Sequence, residues 1–222
     1  MQTVSFEDRA FFLSKNNPTA TADQLALERQ ALQLLKTPLI AAATAHATMR
    51  FRIMAGDQIP AEAQQGLEAR MEEWTMRHLL LSLNADANYP KVNGHGYGPP
   101  HEWYGMKVPG CRGPGTVENA DNHYSFIPVC GDARFELHGK VSTPRIGDCP
   151  FYVCSNPSVS LNVSGLQWQD LKINDDGTFR ITIDPEPAGG RANHLQTSLD
   201  SRYVAIRDSR LDWSEVPNAY VV

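Results

Sequence analysis

The chain has 222 residues, 41% of them hydrophobic and 20% charged, with a formal net charge of −5. This suits one compact domain or two small ones with a sizeable core, and it argues against disorder. Net acidity without a Lys/Arg run excludes a nucleic-acid groove or an anionic membrane surface as the expected partner, and no apolar run approaches the length of a bilayer span.

The N-terminus, MQTVSFEDRAFFLSKNN, carries acidic and polar residues where a secretion signal needs an unbroken apolar core, so a cytoplasmic location is expected. Thr21 stands as an N-cap before a helical run in which Leu25, Leu27, Leu32, Leu34 and Leu35 recur at helical spacing, while Glu28, Arg29, Gln30 and Lys36 fall elsewhere. Pro38 breaks or kinks the run, because its ring clashes with the preceding turn, and the alanine-rich stretch from Leu39 to Met49 reads as a second helical segment. After a loop with Gly56 and Pro60, Leu67, Met71, Trp74 and His78 mark one stripe of a third helix, with Trp74 and Met76 read as core.

From Ala85 to Asn119 glycines and prolines punctuate a long irregular segment that includes Gly113, Pro114 and Gly115. Its aromatics, Tyr89, Tyr97, Trp103 and Tyr104, call for burial, so the segment is expected to drape over the sheet or a partner subunit.

The stretch from Glu118 to Val141 then opens from a polar turn into two alternating runs. Tyr124 and Phe126 share one face of the first, Phe135 and Leu137 one face of the second, and Cys130-Gly131-Asp132 is short enough to join them as a hairpin. Asn119, Asp121 and Asn122 suit Asx turns at the entrance of the first strand, or else the polar rim of a pocket. Further strands are read in PFYVCS, SVSLNVS, LQWQDLKI, GTFRITID and SRYVAIRD, with Asn174 to Gly177 as a hairpin turn between the third and fourth of these. The fold class that follows is α+β: N-terminal helices in residues 1–84, the aromatic loop in 85–118, and an antiparallel β-sandwich or jelly roll in 119–222.

Three segments carry a resemblance. NADNHYSFIPVCGDARFELHGK resembles an NPDN-x-Y…PI-x-G…Y-x-L-x-G pattern, INDDGTFRITIDPEP a D-x-D-G-x-F…SPE hairpin, and ANHLQTSLDSRYVAIRDSRLDW an N-W-L…L-V-R-x…D-W ending. In order and spacing they resemble the bacterial domain-of-unknown-function family numbered 1214, over Asn119 to Trp213. Ala120 and His194 depart from the pattern; Asn119, Asp121, Asn122, Tyr124, Asn193, Arg207, Asp212 and Trp213 match it. The resemblance implies a β-sandwich or jelly-roll domain and assigns no reaction. Arg207 and Asp212 read as an ion pair tying the last strand to the NADN turn.

Chemistry concentrates where the loop meets the first strand. His101 and His123 are the candidate catalytic residues, since an imidazole moves protons near neutral pH. His95, Trp103, Tyr104, Tyr124, Asn119, Asp121, Asn122 and Arg207 are the candidate ligand-binding residues. His95, His101 and His123 with Glu102 offer the residue types of a divalent-metal site, but their spacing matches no metal signature, and neither metal nor other cofactor is assigned. Cys111, Cys130, Cys149 and Cys154 lack scaffold spacing and are expected as thiols. The expected function is a cytoplasmic enzyme of lyase, isomerase or hydrolase type, using histidine as acid/base on a small apolar or aromatic metabolite. The alternative is a non-catalytic ligand-binding or subunit-assembly module. The expected partners are a small-molecule ligand and neither nucleic acid nor membrane, with a homodimer left open.

Overall fold

A computed structural model describes residues 4–112, 119–141, 147–155 and 161–222. Gly113 to Pro114 and Gly115 of the expected loop, and the start of the SVSLNVS run, lie outside the described residues.

Three helices come first: α1 (Ala22–Leu35), α2 (Pro38–Ala55) and α3 (Ala61–Leu83). Thr21 caps α1 as its sequence position implies, its hydroxyl accepting the Gln24 N–H at 3.0 Å. Pro38 does not kink a long helix but starts a new one, at the position where a missing N–H costs nothing. No helix among the described residues is long and apolar enough to cross a membrane.

Ten strands follow. A hairpin of β1 (His101–Trp103) and β2 (Met106–Val108) packs with α1 and α3, sharing a core of Leu25, Leu27, Met76, Leu80, Met106 and Val108. The rest form two four-stranded sheets. One has the order β3 (Asn122–Pro128), β9 (Tyr203–Ser209), β5 (Phe151–Cys154), β6 (Asn162–Leu166); the other β10 (Ala219–Val221), β4 (Phe135–Lys140), β7 (Thr178–Asp184), β8 (His194–Gln196). Among the described residues all pairings in these sheets are antiparallel except β7 with β8. Ile127, Phe151, Val204 and Ile206 from the first sheet and Leu137, Phe179, Ile181 and Leu195 from the second belong to one buried cluster, so the chain is α+β with helices N-terminal to a predominantly antiparallel β region.

Two expected hairpins are not formed. The Cys130-Gly131-Asp132 link carries the chain from one sheet to the other, because β3 pairs with β9 and β4 with β7 and β10. Gly131 serves close approach instead: a Cβ there would lie 2.0 Å from the Ser198 carbonyl oxygen. The Asn174–Gly177 turn exists, with the Gly177 N–H on the Asn174 carbonyl at 2.9 Å, yet its upstream arm is the 3-10 turn Trp168–Asp170 and not a strand. No disulfide joins the four cysteines.

Candidate functional site

α1 turns Gln24, Glu28 and Ala31 inward, each with no exposed surface. Residues four apart stack on one helix face, and the Gln24 Nε2–H donates to Glu28 Oε1 at 2.9 Å. A carboxylate without water is costly unless donors surround it. Those donors come from the Gly/Pro-rich segment. The Gly94 N–H donates to Gln24 Oε1 at 2.9 Å, docking the segment on the helix, and the next residue, His95, brings Nδ1 within 2.8 Å of Glu28 Oε1. The Trp103 indole N–H takes the other carboxylate oxygen at 2.7 Å.

Strand alternation completes the cluster. His101 and Trp103, two apart on β1, fall on the same side, while Glu102 between them is exposed. This corrects the expected carboxylate: Glu28 meets the imidazoles, and Glu102 points away. His101 Nε2 lies 3.4 Å from Glu28 Oε1, within ion-pair distance but without hydrogen-bond alignment, while its Nδ1 donates to the exposed Pro99 carbonyl at 2.9 Å. Ring centroids of His95 and His101 are 4.7 Å apart, and His95 and Trp103 4.8 Å.

Burial pushes the Glu28 carboxyl up, but the facing His101 and His95 rings and the Gln24 amide outweigh it and hold it at about 2. Burial lowers the His101 ring, yet the facing carboxylate and the Pro99 carbonyl prevail, so its pKa lies above the ordinary 6.5. A small cavity adjoins the cluster, lined by Thr19 and Gly94 with Ser125, Asn218 and Tyr220, rather than by the imidazoles expected to line it.

The segment is held against β3 by the Asn93–Phe126 bridge and by the Gly96 N–H on the Tyr124 carbonyl at 3.2 Å. That approach needs glycine, since a Cβ on Gly96 would meet the Phe126 ring at 2.0 Å. It also sets His123, on β3, with its ring 6.1 Å from that of His95, at the edge of the cluster. Tyr124 faces elsewhere, stacked edge-on with Tyr97 at 5.0 Å and accepting from Asn122 Nδ2 at 3.1 Å.

The other expected residues scatter. Tyr104 sits at the tip of the β1–β2 turn with φ 45, half exposed, and Tyr89 is 72% exposed, so two of the four loop aromatics are not buried. Asn119 and Asp121 form the Asx turn, the Asp121 N–H donating to Asn119 Oδ1 at 2.9 Å. Arg207 lies opposite Tyr124 across the β3–β9 pair and faces Asp148 at 3.6 Å, both side chains nearly half exposed. Asp212 instead accepts the Ser214 N–H at 2.8 Å. The NADN turn is tied to the end of β9 by the Arg210 N–H on the Asp121 carbonyl at 2.6 Å.

Sequence reasoning missed Glu28 and Gln24. A signal was present: Glu28 occupies the slot between Leu25 and Leu32 in the series 25, 28, 32, 35, the apolar stripe of an amphipathic helix.

No family model matches the chain, and no curated protein matches it. Among solved structures it is similar to an uncharacterized protein from Burkholderia cenocepacia, with a TM-score of 0.53 and 20% identity over 86% of this chain and 52% of the other. The chain thus spans about half the length of that protein, and the likeness is one of fold.

Proposed function

We propose that the chain is an enzyme for a small apolar or aromatic metabolite, of lyase, isomerase or hydrolase type, with its centre at Glu28, His95 and His101. The observation that carries this reading is a fully buried carboxylate facing two imidazoles, one of which reaches the surface. Glu28 favours charge on His101, and the outward Nδ1–H sits on an exposed carbonyl that a substrate oxygen can replace. His101 then donates the proton as general acid while Glu28 steadies the ring, a carboxylate–imidazole–substrate line. The Trp103 ring lies 5.3 Å from that of His101, and His123 stands at the edge of the cluster, 6.1 Å from His95.

The cytoplasmic setting, the β-sandwich or jelly-roll description of the two sheets with their shared core, and kinship with the family numbered 1214 belong to the same proposal. The motif order from Asn119 to Trp213 supports the last of these. Native mass spectrometry of the protein isolated from cells tests the function. A small metabolite retained by the wild type and lost from His101→Ala is expected; a metabolite retained equally by both moves the site elsewhere.

One observation favours the assembly reading. α2 leaves Leu39, Met49, Ile53 and Met54 exposed, with His46 and Arg50 exposed among them. A second copy of the chain is the proposed occupant. Sedimentation velocity should show a dimer that Ile53→Glu dissociates, and a monomeric wild type would remove this reading.

A further inference from the structure

Each imidazole of the cluster lies between two acceptors. Thr19 Oγ1 gives its only proton to Asn17 Oδ1 at 2.6 Å, so toward His95 Nε2, 3.2 Å away, it accepts. The Pro99 carbonyl beside His101 Nδ1 is an acceptor by its nature. The outer nitrogen of each ring therefore carries hydrogen, and in a neutral imidazole the inner nitrogen presents a lone pair. Both inner nitrogens, His95 Nδ1 and His101 Nε2, face the same oxygen, Glu28 Oε1. Two lone pairs and a carboxylate repel unless positive charge lies among them. Two added protons supply it, or one dication. His101 Nε2 lies 3.4 Å from Glu28 Oε1 without hydrogen-bond alignment, so a proton there is held less well than one on His95 Nδ1 at 2.8 Å.

The geometry points to Glu28 Oε1, His95 Nδ1 and His101 Nε2 as the three ligands of a divalent first-row transition ion of the zinc or iron(II) kind. Bonds of about 2.1 Å at angles of about 90–110° set neighbouring ligand atoms about 3.0–3.4 Å apart. Of the two N···O distances here, 3.4 Å falls within this range and 2.8 Å just below it, and all three ligand atoms lie within 4.8 Å of one another. Trp103 occupies Glu28 Oε2, and Oε1, which accepts the Gln24 amide with one lone pair, keeps the other for the ion. The outer N–H of each ring is held by Thr19 or Pro99, the orienting bond that metal-bound histidines make. Two nitrogens with one oxygen suit zinc or iron(II) and not calcium or magnesium, which take oxygen. Three protein ligands leave positions for water or substrate, as catalytic sites do. The inference rests on the reading of this cluster as the functional centre, and it substitutes an ion for the protons invoked there.

The test uses cobalt(II) as a spectroscopic probe on protein stripped with a chelator. One ion per chain is expected, with visible absorption, displaced by zinc. In the wild type, bound cobalt should shift two exchangeable imidazole N–H protons far outside the normal NMR range, those of His95 Nε2 and His101 Nδ1. His101→Ala should weaken uptake by more than about tenfold, since even loss of an orienting partner costs about 10–100-fold. His138→Ala, on β4 in the other sheet, should bind as wild type. Absence of stoichiometric uptake, fewer than two shifted imidazole protons, or a folded His101→Ala that binds as wild type overturns the site. If the variant does not fold, the wild-type NMR shifts decide alone. A metabolite lost from His101→Ala in protein that takes no cobalt would sink the ion and leave the acid–base reading standing.

Discussion

At the scale of residues, burial decides what a polar group is worth. Glu28 sits without solvent among Gln24, His95, His101 and Trp103, and removing its charge strands several donors at once. Glu28→Gln should cost about 3 kcal/mol in chemical denaturation, the low end for breaking a buried ion pair; a loss under about 1 kcal/mol would show that the cluster is wetter than its burial implies. Arg207 is the counter-case. Its expected pairing with Asp212 would be costly to break if buried, but its partner is Asp148 and both are nearly half exposed. Arg207→Ala should change stability by no more than about 0.5 kcal/mol, as exposed pairs do, and a larger loss in a thermal melt would contradict the exposed geometry.

At the scale of elements, the cluster depends on a segment without regular structure being pressed between a helix and a strand. Gly94 docks it on α1 through Gln24, and Gly96 docks it on β3. Gly96→Ala drives a methyl group into the buried Phe126 ring, which is boxed in by Tyr97 and Tyr203 and cannot swing aside freely. Overpacking of this kind costs about 1–3 kcal/mol. The variant should melt earlier and, because His95 is next to it, should weaken cobalt uptake too; a melt equal to wild type would mean that the segment lifts without penalty. Neighbouring α2 behaves differently, as it packs through few residues and buries only Thr48 fully.

For the whole molecule, the same cluster shapes stability against pH in metal-free protein. Glu28 has a folded pKa of about 2 against an ordinary 4.5, so its contribution is complete above pH 4.5 and lost as pH falls toward 2. The shift corresponds to about 3 kcal/mol. His101 runs the other way: its folded pKa is raised, so its contribution is complete below 6.5 and lost as pH rises above that value. Denaturation midpoints measured with chelator present should be highest between pH 4.5 and 6.5, and Glu28→Gln should flatten the acid limb. An unchanged acid limb in the variant would assign the acid sensitivity to other carboxylates. On the alkaline side the fall should be shallower in His101→Ala.

Local rules carried much of this fold in the sequence. The Thr21 cap, the Pro38 break, the third helix and the alternation of Phe179, Ile181 and Ile183 are each set by a few neighbouring residues, so their elements are legible one window at a time. His95, His101 and Trp103 were legible for the same reason, as imidazoles and a large ring in irregular chain. Pairing was not. Whether Cys130–Asp132 turns back or crosses between sheets depends on β9 and β7, more than forty residues away in the chain, whose edges compete for β3 and β4. The carboxylate of the site was hidden likewise, because a glutamate in a helix reads as solvent-facing until something arrives to bury it. Only the tertiary structure brought a loop sixty-seven residues downstream onto α1, and there the donors of His95 and Trp103 turned an ordinary charged side chain into the centre of a polar cluster.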